Sequence, residues 1–285
     1  MQIDRYTDVR AFAAHTAPYL LQREPEHHLI LGITNELIAA PQLYGETYYL
    51  AVASHAGEVC GVVLMTPPHL LISSHFGQPG VAALIVQDLA ASSFRFPGVT
   101  GPVTESRAIA EAWAARCGGR YERGIAQRIY ALTQVIDPVA VGGGLRQATM
   151  ADRGLLHQWF IGFQRETFGS GDDESALRAV TRWLGASTRA LWLWEDGEPV
   201  SMAGYSGPTA NGVRIAAVYT PPAFRRRGYA SACVAGLSRR VIADGRHYCF
   251  LFTDLANPTA NHIYQQIGYR PICDVDEYDF FPHAP

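Results

Sequence analysis

The chain has 285 residues, 48% of them hydrophobic, enough to bury a sizeable core in two ordinary domains or one large one. A formal charge of −3, with no basic stretch interleaved with aromatics, argues against a nucleic-acid footprint. All 23 basic residues are arginine, which removes a lysine Schiff base and the lysine of a phosphate loop from consideration.

In chain order, Met1-Gln2-Ile3-Asp4-Arg5 begins no long apolar run, and no later segment reaches membrane-span length; a soluble, cytoplasmic protein is expected. Helices are predicted at 8–21 and 24–40, and strands at 48–54 and 59–66 flank His55-Ala56-Gly57. A strand at 70–74, a helix at 80–91, an extended Val99-Thr100-Gly101 and a helix at 106–117 follow, then an apolar run at 127–136. Asp137-Pro138 and the triplet Gly142-Gly143-Gly144 read as a flexible linker over 138–144, separating domains at 1–137 and 145–285. The triplet lacks the Lys-Ser/Thr of a phosphate loop.

The second half opens with a strand at 145–149. Asp152 caps a helix to 167 with Leu155, Leu156, Trp159 and Phe163 at helical spacing, and Asp172 or Asp173 starts another to 184. Strands at 189–195 and 199–205 flank the hairpin signal Asp196-Gly197, and a strand at 213–219 ends at Thr220-Pro221-Pro222. The helix at 226–243 carries the stripe Ala230, Cys233, Val234, Leu237 and Val241, and Asp244-Gly245 stops it. A strand at 247–253, a helix at 257–267 and two short strands at 269–272 and 275–280 close the second sheet. The first half repeats this order loosely, with Ala56-Gly57-Glu58-Val59 matching Asp196-Gly197-Glu198-Pro199, which reads as a divergent duplication.

The five scattered cysteines, Cys60, Cys117, Cys233, Cys249 and Cys273, form no C-x-x-C pair and read as reduced thiols. His27-His28 is the only adjacent histidine pair, no metal-ligand spacing occurs, and no metal is expected.

The strongest chemical signal is a strand, a Pro-containing turn, then Arg225-x-x-Gly228-x-Ala230 opening a helix. Main-chain N–H groups at a helix start are unpaired, the dipole favours an anion there, and Gly228 and Ala230 permit close approach. Arg225, Arg226 and Arg227 offer forked donors, so a diphosphate suits the place, whereas the motif in isolation reads rather as a solvated basic helix start.

Context decides between them. Ala216-Ala217-Val218-Tyr219-Thr220-Pro221-Pro222, Arg225-Arg226-Arg227-Gly228-Tyr229-Ala230 and Leu251-Phe252-Thr253-Asp254, followed by Asn257 through Tyr269, resemble the GNAT superfamily of N-acetyltransferases over about 145–285. The resemblance implies two tandem GNAT-like halves, each a mixed, largely antiparallel α/β sheet flanked by helices. The first is degenerate, because its matching place, Gln78-Pro79-Gly80-Val81-Ala82, has no Arg or Lys, so one acetyl-CoA per chain is expected.

The same resemblance implies that the main chain of Val218, Tyr219 and Thr220 pairs with the pantetheine arm, with Val218 N–H near the thioester carbonyl. Amides from Arg226 through Tyr229, Ala230 and Ser231 hold the pyrophosphate, and Asn257 and Asn261 lie along the cofactor. Tyr264 stands near the sulfur as general acid. Its helical position beside the stripe of Ala256, Ala260, Ile263 and Ile267 fits a cleft; tyrosines at such positions also commonly pack the ring and hydrogen-bond a neighbour, and the motif context favours the catalytic reading.

The chain departs from the family where a carboxylate often sits: 213–220 holds Arg214 but no Asp or Glu. The base is then a water chain or one of Glu166, Asp172, Asp173 and Glu195, each of which reads first as a capping or solvated carboxylate, with Glu166 the one to test. Trp159, Phe163 and Phe168 would line an acceptor pocket or belong to the core. The expected activity is acetyl transfer from acetyl-CoA to a primary amine, on a small molecule or a peptide N-terminus. A longer acyl donor is a variant, and a catalytically silent CoA-binding sensor or partner-binding module is the competing reading. Oligomeric state is left open.

Overall fold

The computed structural model describes residues 1–45 and 47–281, apart from the Phe168 side chain, and the chain within it divides into two units. Of the described residues, the first holds those within Met1–Tyr130, Phe252–Pro258 and 271–281; the second holds those within Ala131–Leu251 and Thr259–Arg270.

The first repeat runs β1 (Gln2–Arg5), α1 (Val9–Leu20), α2 (Glu24–Ala39), β2 (Tyr49–His55), β3 (Glu58–Met65), β4 (Leu71–Ser73), α3 (Val81–Ala90), β5 (Gly98–Pro102), α4 (Val103–Cys117) and β6 (Arg120–Leu132). The second repeats that order with β7 (Gly144–Gln147), α5 (Arg153–Phe168), α6 (Asp173–Gly185), β8 (Ala190–Asp196), β9 (Glu198–Ser206), β10 (Gly212–Tyr219), α7 (Tyr229–Ala243), β11 (Tyr248–Asp254), α8 (Pro258–Ile267) and β12 (Arg270–Phe281). Pairing repeats too: β1 with β2 and β7 with β8 are antiparallel, while β4 with β5 and β10 with β11 are parallel. The expected mixed, largely antiparallel sheet in tandem halves is the observed fold.

In the first unit β2 is buried on both faces, and its side chains alternate between two cores. Tyr49, Ala51 and Ala53 meet α3 and α4, and Leu50 and Val52 meet α1 and α2. In the second unit Leu191, Leu193, Met202, Ala217 and Tyr219 meet α5 and α6 through Leu156, Trp159, Phe160, Val180 and Trp183. Local caps set the helix starts. Asp172 accepts from Ser175 N–H (2.7 Å) at the start of α6. Thr149, rather than Asp152, caps the short turn leading into α5, with Asp152 reaching back to Thr149 N–H (2.7 Å).

Three expectations change. Strand β1 was not foreseen. The two short closing strands are one strand, β12, and it lies beside β5 in the first unit rather than closing the second, with Val275↔Pro102 through Asp279↔Gly98 in register. Arg123 and Arg128 on β6 donate to Asp276 and Asp274 (2.6 Å each), and Phe280 stacks on Trp113 with centroids 4.4 Å apart. The division of the chain therefore falls after Tyr130 and returns the C-terminal strand to the first unit, unlike the division at 138–144.

The glycine triplet, in turn, is a docked segment. Gly144 pairs with Glu195, Trp194 Nε1 donates to the Gly142 carbonyl (2.8 Å), and Gly143 has φ 96. A Cβ on Gly143 would lie 2.2 Å from the Glu195 carbonyl oxygen, so glycine serves close approach here rather than looseness. Gly143→Ala is expected to lower unfolding free energy by about 2 kcal/mol or more, combining left-handed strain with this collision. Urea denaturation checks it, and a change under about 0.5 kcal/mol, an ordinary surface effect, would mean that the segment yields.

Candidate functional site

The site is built at the C-terminal end of β10. Pairing with β9 runs from Arg214↔Ser206 to Ala216↔Gly204 and resumes at Tyr219↔Met202, so β10 carries an extra residue between these pairs. Ala217, at φ 52, takes it up. A bulge of this kind bends the strand and releases main-chain groups from the ladder, and it places left-handed backbone on a residue with a Cβ. On the other edge the parallel register with β11 covers Gly212↔Tyr248 to Arg214↔Phe250. Beyond Arg214, among the described residues, β10 keeps β9 as its strand partner and offers its second edge to an extended ligand. Buried Ser201 pins the strand end, its Oγ donating to the Tyr219 carbonyl (3.2 Å) and lying 2.8 Å from Thr220 Oγ1.

After Pro221 a short 3-10 turn (Pro222–Phe224) leads to Arg226 at φ 61 and Gly228 at φ 84, and α7 begins at Tyr229. Ala232 N–H donates to the Gly228 carbonyl (3.0 Å), so the amides of Tyr229, Ala230 and Ser231 precede any intrahelical acceptor, and no side chain caps them. Left-handed residues before a helix start gather N–H groups around a concavity suited to an anion, and the helix dipole adds to the attraction. Gly228 is required twice over: its backbone is left-handed, and a Cβ would lie 2.9 Å from Val141 Cγ1.

The three arginines separate in role. Arg225 is turned away from the helix start: Nε donates to the Thr220 carbonyl (2.8 Å), and Nη2 lies 2.7 Å from both oxygens of Glu166. Its guanidinium also lies over the Tyr219 ring, 5.7 Å from the centroid. Arg225 is thus a brace on the strand end. Arg226 is exposed and makes no ion pair among the described residues; Arg227 is exposed near the Tyr229 hydroxyl. That hydroxyl donates to Asp196 (2.6 Å), which raises the phenol's pKa.

Glu166 sits near the end of α5 with its side chain 48% exposed, held by Arg225. Of the other candidate bases, Asp172 and Glu195 are also engaged, whereas Asp173 is largely exposed. Asp172 caps α6, and its carboxyl is held below the usual range first by the Ser175 amide. Asp173 lies 3.7 Å from His157, and Glu195 pairs with Arg146. Trp159 is core, Phe163 is half-buried, and both approach the Tyr219 ring, with centroids 6.4 and 6.5 Å from it. The side chain of Phe168, the third aromatic expected there, is outside the described residues.

An ion pair this exposed contributes little to stability, so Glu166→Gln is expected to lower unfolding free energy by no more than about 1 kcal/mol, with urea denaturation as the check. A larger loss would mean that the Arg225–Glu166 brace holds the strand end more firmly than an ordinary surface pair.

Tyr264 lies on α8, half-buried, its ring edge-on to Tyr269 with centroids 5.9 Å apart. No hydrogen bond of its hydroxyl is recorded among the described residues, and desolvation pushes its pKa up to about 12. The phenol therefore keeps its proton across the neutral range. Asn261 shares α8, while Asn257, whose N–H donates to the Asp254 carbonyl (3.0 Å), falls in the first unit. Burial raises the Cys233 and Cys249 thiols to about 12, which removes them as nucleophiles at neutral pH. Among the described residues no group of three His, Cys, Asp or Glu could hold a metal, and no helix is long and apolar enough to cross a membrane.

Sequence reasoning missed the bulge at Ala217, the Arg225–Glu166 pair and the seat of Val141 against Gly228. A bulge leaves no residue signature when alanine fills it, and the two contacts join distant segments.

The model of the acetyltransferase (GNAT) family matches residues 155–269. No curated protein matches the chain. Among solved structures it is similar to a Drosophila protein, with TM-score 0.69 and 13% identity over 99% of both chains. It is similar to a GCN5-related N-acetyltransferase from Sphaerobacter thermophilus, with TM-score 0.58 and 18% identity over 99% of this chain and 97% of that one. A tandem GNAT protein from the clavulanic acid biosynthesis pathway gives TM-score 0.57 and 11% identity over 100% of this chain and 99% of that one. At such identities the likeness speaks for the fold, and the matched segment contains β10, the turn, α7 and α8. Residues 155–269 thus match the acetyltransferase (GNAT) family model, in a chain whose fold along its whole length is like that of GNAT proteins.

Proposed function

We propose that the second unit transfers an acetyl group from acetyl-CoA to a primary amine by direct attack. The observation that carries this reading is the uncapped start of α7 behind left-handed Gly228, next to the half-paired end of β10. The amides of Arg226 through Ser231, with the Arg226 and Arg227 side chains, would hold the pyrophosphate; Val218 and Thr220 main chain would carry the pantetheine arm. The amine nitrogen bonds to the thioester carbon, Val218 N–H meets the developing oxyanion, the carbon–sulfur bond breaks, and Tyr264 gives its proton to the sulfur. Amide and free CoA leave, and the proton lost by the amine passes to water, since the nearby carboxylates are paired.

That pairing, together with the carboxylate-free β10, favours a second reading: a CoA-binding sensor without turnover. Calorimetric titration with acetyl-CoA, followed by thiol-release assays over a panel of primary amines, tests both. One-site binding with thiol release supports the enzyme, binding without release across the panel supports the sensor, and no binding sinks both.

A further inference from the structure

In the first unit a cavity of 320 Å³ opens at the start of α3, lined by Phe76, Pro79, Gly80, Val81, Glu105 and Ala108 among others. It occupies the place that in the second unit is the start of α7, and the backbone is the same: Gly80 has φ 84, ψ −7, against φ 84, ψ −4 at Gly228. The charge differs. No arginine lines the cavity, and α4 contributes Glu105, whose side chain is only 7% exposed.

One oxygen of Glu105 is committed: Oε1 accepts from Phe76 N–H (3.2 Å) and lies 2.9 Å from His75 Nδ1. Oε2 has no hydrogen bond recorded among the described residues, and Glu105 is part of the cavity wall. The arrangement is stiff, because the His75 main chain is held by Tyr19 and Ser74 hydroxyls on its carbonyl (2.7 Å each) and by His27 Nε2 on its N–H (3.1 Å). A largely buried carboxylate with one open oxygen calls for a cationic donor, and it repels a diphosphate. The uncapped start of α3 on the same cavity offers N–H donors to an anion. Phe76, Pro79, Val81 and Ala108 supply apolar wall between them.

We infer that this cavity is a second ligand site, for a zwitterionic amino acid whose ammonium meets Glu105 and whose carboxylate meets the α3 amides. It stands apart from the acyl-transfer reading of the second unit. Calorimetry on the full chain without acetyl-CoA tests it, using L-leucine and 6-aminohexanoate as probes, which separate α- from ω-spacing. Isopentylamine and 4-methylpentanoate serve as single-charge controls. The expected result is binding of one zwitterion at least tenfold tighter than either control, with a tenfold or greater loss in both Glu105→Gln and the cavity-filling Ala108→Leu. Ala108 is half-buried, so that variant keeps the test decisive should Glu105→Gln fail to fold. Absence of zwitterion binding, equal affinity for isopentylamine, or unchanged affinity in folded Ala108→Leu overturns the inference.

Discussion

Tyr264→Phe is expected to lower kcat by about 10²-fold or more while acetyl-CoA affinity stays within about twofold, as removal of a positioned general acid does. The change deletes one hydroxyl that makes no hydrogen bond among the described residues and keeps the ring against Tyr269, so the packing cost is small. The pKa gives a second signature. A phenol pushed up to about 12 by desolvation stays protonated through any practical assay range. In the wild type kcat/KM should therefore rise with pH as the acceptor amine loses its proton, then hold a plateau to pH ~10 without an alkaline fall. A Tyr264→Phe enzyme with unchanged kcat would remove Tyr264 from the chemistry. An alkaline limb near pH 9 would point to a different acid.

Gly228→Ala carries the second large effect: acetyl-CoA affinity should fall more than about tenfold, because the amides at a helix start bind an anion only while they converge. The substitution puts a Cβ on left-handed backbone, costing about 1–2 kcal/mol, and drives it to 2.9 Å from Val141 Cγ1. Relief requires the Arg226–Gly228 loop to turn, and that loop aims the amides. Gly57→Ala is the control, since Gly57 has φ 85 with nothing within 4 Å of a Cβ. It bears the same backbone strain and should leave acetyl-CoA titration unchanged. Equal affinity in Gly228→Ala and wild type would mean that the pyrophosphate is held elsewhere.

The parts of the fold readable from residues alone are those governed by neighbours a few positions away. Asp196-Gly197 predicts a hairpin, and Gly197 has φ 74; Asp172 or Asp173 predicts a helix start, and it is the Asp172 side chain that accepts from Ser175 N–H. Periodicity places α5, α6 and α7 because the buried stripe of a helix is written at every third or fourth residue. Most of the expected elements appear for this reason, and the ordered motifs from Val218 to Tyr264 point to the GNAT family.

Tertiary structure decided which strand lies beside which, and which charged groups remain available. Nothing near 270–281 says that β12 belongs with β5. Its place rests on Arg123–Asp276 and Arg128–Asp274, 153 and 146 residues apart in sequence, and on Phe280 finding Trp113. The glycine triplet reads as slack until Glu195 and Trp194 are beside it, and Arg225 reads as a phosphate ligand until Glu166 is within 2.7 Å. Local sequence sets backbone preference through sterics and capping over a few residues. Pair energies between distant segments enter only once the chain has closed the loops that bring them together, so strand neighbours and the partners of Arg225 and Glu166 were settled by the fold.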